Sequence, residues 1–145
     1  MQRFRFPLER VRRWRAEQAA AEEAKLRQLA GQMAALADER ARVENDRAES
    51  ERVVLERAAV EAGDLQALDA FRSHVRARIG DIEKRRNETA RKIGEQRERW
   101  RAAARQAELL ERLKTKMFAE WRAEADREEE TLASELYLAR LARRR

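Results

Sequence analysis

The sequence predicts an all-α protein: two long helices forming an antiparallel coiled-coil hairpin with a C-terminal helical overhang. Three observations carry this. From Val75 to Trp121 apolar residues recur at alternating steps of three and four, through Val75, Ile79, Ile82, Ile93, Trp100, Ala103, Ala107, Leu110, Met117 and Trp121. Arg86, Thr89, Gln96 and Lys114 occupy the four positions where the pattern fails. A stripe that narrow is a seam for another helix, because a helix facing a thick globular core shows a wider apolar arc. The composition agrees: 43% of the 145 residues are charged, and alanine, which buries little area, is the largest contributor to the apolar share. Finally, the periodic pattern is lost only once between its two long runs, at Ala62-Gly63-Asp64.

The first helix is expected over about residues 7–61. Pro7, the only proline, suits a first helical turn, where its missing N–H costs nothing. The stripe starts near Leu8 and Val11, becomes clear at Leu26, Leu29, Met33 and Leu36, and continues through Val43 to Val54 and Leu55. Arg40 and Arg47 fall on it, which predicts looser packing there. Gly63 suits a left-handed C-terminal position and Asp64 an N-cap, so the turn is placed at 62–64 and the second helix over about 65–142. The whole chain, 1–145, is then one coiled-coil domain.

A short link between two long amphipathic helices folds them back on one another. Pivoting at Gly63 brings Leu26 near Trp100, and Phe4 and Phe6 near Phe118 and Trp121, so large apolar residues meet large apolar residues. At a rise of 1.5 Å per residue the arms would be about 80 Å and about 115 Å long, leaving residues beyond roughly 122 without a partner helix.

Charge marks the same end. Arg3, Arg5, Arg10, Arg12, Arg13 and Arg15, against Glu9, crowd the start of the first helix, where positive charge opposes the macrodipole. Arg140, Arg143, Arg144 and Arg145 close the second. Between them Glu120, Glu124, Asp126, Glu128, Glu129, Glu130 and Glu135 form an acidic band. Stability does not explain the arginines at the start of the first helix, whereas those at the end of the second suit their helix terminus; the charged open end reads as a docking surface.

Several chemistries are excluded or disfavoured. With no cysteine there are no disulfides or thiolate metal sites, and one histidine, His74, makes neither a triad nor a metal site alone. Glu128-Glu129-Glu130 point in different directions along a helix, and two helices enclose no water-excluding pocket, so no catalytic, cofactor or metal site is expected. No run reaches the roughly 20 apolar residues that span a bilayer, and the N-terminus lacks the apolar stretch of a secretory signal, which points to the cytoplasm. The net charge of +6 is interleaved with acids along most of the chain, as on a solvated helix surface, so nucleic acid is a remote partner. Trp14, Trp100 and Trp121 read as seam residues or covers over it, and at Phe71-Val75-Ile79 a step of four follows a step of four. That shift is either a stutter or a place where apolar side chains turn outward to bind.

The order and spacing of several motifs resemble the FliJ family of the flagellar type III export apparatus and its counterparts in virulence-type secretion. Phe4-Arg5-Phe6-Pro7-Leu8-Glu9 resembles the family's opening Phe-x-Phe-x-Leu-Glu, and Phe71-x3-Val75-x3-Ile79 its aromatic and two aliphatic residues. Leu110-Glu111-Arg112-Leu113-Lys114 followed by Arg127-Glu128-Glu129-Glu130-Thr131-Leu132-Ala133-Ser134-Glu135 is similar to its distal part, although Glu130, Thr131 and Ser134 stand where Gln, Lys and Asp are usual. The resemblance implies a stalk without enzymatic activity, like the central subunit of rotary ATPases. Its implied partners are the hexameric export ATPase, the membrane-embedded export gate component and export chaperones, with no cofactor and no small-molecule substrate. By the same likeness Phe71, Val75 and Ile79 would form the gate-binding patch, and Arg127, Glu128, Glu129, Glu135 and Arg140 would dock in the ring. A self-associating structural coiled coil is the alternative, and an arginine-rich nucleic-acid binder a more distant one.

Overall fold

The computed structural model describes residues 2–145. Two helices account for most of them: α1, Glu9–Leu55, and α2, Ala62–Arg143. No strand occurs among the described residues. The chain divides into two compact units, each containing part of both helices. The turn unit is Ala21–Trp100; the terminal unit combines residues up to Ala20 with Arg101–Arg145.

In the turn unit the helices run antiparallel. Glu51 bonds Arg72 (2.7 Å), Arg40 bonds Glu83, Glu39 bonds Arg85 (2.8 Å) and Glu22 bonds Gln96, so each step back along α1 is matched by a step forward along α2. The core is the single line between the helices. Leu36, Val43, Val75 and Ile82 are buried together, with Phe71 and Ile79 packed against them, and Ile82 is the most enclosed at 1% exposure. Leu26, Leu29, Met33, Ile93 and Trp100 are half-buried on the same line.

Two positions where the apolar pattern fails are nevertheless buried. Thr89 returns its hydroxyl to the carbonyl of Arg85 (2.9 Å). Gln96 donates from Nε2 both to the main-chain carbonyl of Glu22 (3.0 Å) and to its carboxylate, the donation that holds the Glu22 carboxyl below its ordinary range. Among the described residues no buried side-chain polar atom lacks a partner, so these polar positions avoid the cost of an unmet hydrogen bond. Arg40 and Arg47 lie half-buried on the stripe with their guanidinium groups led out to Glu44 and Glu83, and to Glu51. Their aliphatic stems cover the seam while the charge stays in water. Arg86, by contrast, is exposed, with Glu83 at 3.8 Å.

The turn differs from the sequence expectation. α1 ends at Leu55 rather than near 61, and α2 begins at Ala62, so the connection is residues 56–61 and not 62–64. Gly63 lies in the first turn of α2, and no described residue has a positive φ. A single left-handed residue reverses the chain but does not span the 8–10 Å between two helix axes; several non-helical residues are needed for that. Asp64 does cap α2, from its third position: its carboxylate accepts the main-chain N–H of Glu61 (3.2 Å), while the Glu61 carbonyl accepts from the N–H groups of Asp64 and Leu65. This is the return half of a capping box. Arg57 Nη1 reaches the same carboxylate (3.2 Å) and ties the link to α2.

The step of four at Phe71, Val75 and Ile79 shifts the stripe without turning it outward. Val75 is 3% exposed. Phe71 lines one groove with Val43, Ser50 and His74, while Ile79 lines another with Glu44, Arg47 and Arg72.

Truncation at the seam should therefore be costly and truncation off it cheap. Ile82→Ala is expected to lower the unfolding free energy in urea by about 2 to 4 kcal/mol, whereas Leu109→Ala, at a side chain 65% exposed, should change it by under about 0.5 kcal/mol.

Candidate functional site

The terminal unit starts with an extended segment, residues 2–6, bound to α2. The Phe4 ring meets Phe118 edge-on at 5.2 Å and Trp121 at 5.8 Å; Phe118 and Trp121 stack at 5.7 Å. Trp121 Nε1 donates to the carbonyl of Gln2 (3.2 Å), which satisfies the indole while its ring stays on the seam. Phe6 is buried. Pro7 and Leu8 form the turn leading into α1, and Glu9 N–H bonds the Phe6 carbonyl (3.2 Å).

Glu9 gathers the nearby cations. Its carboxylate accepts Arg12 in two-pronged fashion (3.0 and 2.5 Å), and lies 3.2 Å from Lys114 Nζ on α2 and 3.5 Å from Arg13. Arg12 also reaches Glu111 (2.6 Å). Arg12 foremost, and then Lys114, hold the Glu9 carboxyl down at about 2, while Glu9 and Glu111 push the Arg12 guanidinium up. At the first position of α1 the ionised carboxylate also faces the positive end of the helix dipole. Arg3, Arg5 and Arg10 make no ion pair among the described residues. Arg15 donates to Gln106 of α2 and lies over the Trp14 ring at 4.6 Å, so Trp14, 49% exposed, is a cover beside the seam and not part of it.

Leu110, Met117 and Trp121 continue the seam as half-buried residues, and Ala125 is its last buried side chain. From Asp126 to Arg145 every residue is exposed. The expected docking residues Arg127, Glu128, Glu129, Glu135 and Arg140 all lie there, and beyond Met117 no ion pair forms among the described residues. From Asp126 onward the sole side-chain hydrogen bond among the described residues is the return of the Thr131 hydroxyl to the Arg127 carbonyl (2.9 Å).

The structure also draws attention to apolar residues that the charge pattern obscures. Leu132, Leu136, Tyr137, Leu138 and Leu141 are 43–64% exposed, and between 132 and 142 only Glu135 and Arg140 are charged. The readable signal was that fall in charge density in a chain otherwise 43% charged. At 100° per residue Leu132 and Leu136 lie on one face, and Tyr137, Leu138 and Leu141 on others. A helix apolar on several faces is normally a covered helix.

The expected gate patch is not brought together as an open surface. Val75 is in the core and Phe71 and Ile79 border different grooves, leaving Phe71, beside the exposed His74, as the more approachable member.

Among the described residues no helix is long and apolar enough to cross a membrane. A family model described as "Flagellar FliJ protein" matches residues 4–145. Comparison with curated proteins and with solved structures gives no match.

The Glu9 cluster sets an acid limit. Because Glu9 ionises more readily in the folded chain than its ordinary 4.5, its contribution is complete above that value and is lost as pH falls toward about 2. Glu22 and Glu51, also lowered, by Gln96 and Arg72 first, act in the same direction. Thermal melts across this range should show Glu9→Gln losing less of its melting temperature on acidification than wild type.

Proposed function

The chain belongs to the FliJ family, structural proteins of the flagellar export apparatus, and from that premise we propose that it is a stalk and adaptor without catalytic activity. It links the hexameric export ATPase to the membrane-embedded export gate and assists export chaperones, associating with the inner-membrane apparatus from the cytoplasm through these partners.

The observation that supports this reading best is the stretch after Ala125. Its charges are not used internally and its apolar residues lie on several faces, a combination that is stable in water only at a cost and that a partner enclosing the helix would relieve. A ring encloses a helix on all sides. In this reading Arg127, Glu128, Glu129, Glu135 and Arg140 meet charges of the ring, which guide entry, while Leu132, Leu136, Tyr137, Leu138 and Leu141 supply the buried contact. The exposed Arg3, Arg5 and Arg10 lend the neighbouring surface a positive potential. At the turn unit the gate component would meet the groove edged by Phe71 and His74, with Val75 supporting that groove from beneath.

Two measurements check this. Deleting residues 126–145 should abolish stimulation of the export ATPase while the remaining helix pair melts as before; undiminished stimulation would move the ring contact elsewhere. Phe71→Ala should weaken gate binding with little loss of stability. Val75→Ala should weaken the fold by about 1 to 2 kcal/mol, and equal stability of the two variants would contradict their different burial.

A further inference from the structure

We propose that the exposed end of α2 pairs with the same segment of a second copy of this chain, antiparallel and about a two-fold axis. The inference goes beyond the proposed function and stands independently of it, since it rests on the self-complementarity of one segment.

The apolar line of this segment continues the seam. After Trp121 the same line of α2 runs through Ala125, Leu132, Leu136 and Ala139, at steps of four, seven, four and three. The extended N-terminal segment reaches α2 around Trp121 and Glu124. Past Ala125 the line is uncovered, with Leu132 at 58% and Leu136 at 64% exposure. It is a coiled-coil seam in spacing, with no partner in the chain.

Charge selects the partner and its direction. Glu124, Asp126, Glu128, Glu129 and Glu130, with Arg127 among them, make the near part of the segment predominantly acidic, and Arg140, Arg143, Arg144 and Arg145 make the far part, beyond Glu135, wholly basic. Glu130 and Arg140 are ten residues apart, about 15 Å along the helix, too far to pair within one copy, and none of these residues has an ion-pair partner. A parallel second copy would align acid with acid and base with base. Turned antiparallel, with Leu132 level with the other copy's Leu136, it aligns Glu128 with Arg140 and Glu124 with Arg144, and sets Asp126 level with Ala142, beside Arg143. The two-fold repeats every pair, as an isologous contact requires. The segment is therefore complementary to itself in one direction only. The paired stretch is short, so the association is weak and depends on concentration. It also covers the Leu132 and Leu136 line that a ring would use, making the dimer and the docked state alternatives.

Sedimentation of the full chain over a wide concentration range tests this. The wild type should pass from monomer to dimer, and Leu132→Glu with Leu136→Glu should weaken that association roughly tenfold or more with helicity unchanged by circular dichroism. Reversing one half of the charge, as R140E, R143E and R144E, should also weaken it. Mixing that variant with one carrying E124K, D126K and E128K should restore dimers as mixed pairs. A wild type monomeric throughout, or a dimer indifferent to the two leucine substitutions, overturns the proposal; charge-reversed variants that fail to pair with each other overturn its antiparallel arrangement. Stimulation of the ATPase is a separate readout, so loss of the dimer with stimulation intact leaves ring docking standing.

Discussion

A pair of helices has one interface, so each side chain faces either that line or water. In this protein the line is also punctuated by polar residues, and the fold depends on how they are satisfied. Thr89 turns to its own helix, and Gln96 crosses to the main chain and carboxylate of Glu22. Arg40 and Arg47 lead their charges to flanking glutamates. A slide of one helix along the other would leave Gln96 without its acceptor and separate Arg72 from Glu51 and Arg85 from Glu39. Leu36, Val43, Val75 and Ile82 form the buried apolar cluster; the polar positions fix the register, a role such residues fill in coiled coils.

The terminal unit follows the same rule until its partners run out. Phe4, Phe118 and Trp121 close the apolar line, and Glu9 balances Arg12, Arg13 and Lys114. Beyond Ala125 the helix continues without α1, and from Asp126 neither its charges nor its leucines are used within the chain. The two stretches of α2 thus differ in kind: one carries matched pairs, and the other carries charged and apolar groups left exposed.

Much of this was legible because a coiled-coil seam is a one-dimensional code. The step of three and four located the buried line on both helices, and the pivot correctly brought Phe4 to Phe118 and Trp121. The motifs that resembled FliJ lie within the stretch the family model matches. The turn was less legible, since Gly63 signals an ending but says nothing of the distance to be bridged; the helix stops at Leu55, before any residue type demands it. Depth was illegible at Val75, because periodicity gives the direction of a side chain and not how closely the opposite helix covers it. Arg86 and Gln96 looked alike as failures of the pattern, yet one is exposed and the other buried, since only Gln96 meets an acceptor across the seam. The apolar run from Leu132 to Leu141 was overshadowed by the charges around it.

The central claim is that α1 of a chain is the partner of α2 of the same chain, in a register held across the seam. The chain has no cysteine, so spin labels placed at Asn45 and Arg78, both exposed on the turn unit, report on that pairing alone. Pulsed electron spin resonance should show a short, narrow distance distribution, as expected of labels on helices packed 8–10 Å apart, unchanged when the sample is diluted with unlabelled protein. A broad distribution, or a short distance that disappears on such dilution, would show that the seam joins different chains and would contradict the account.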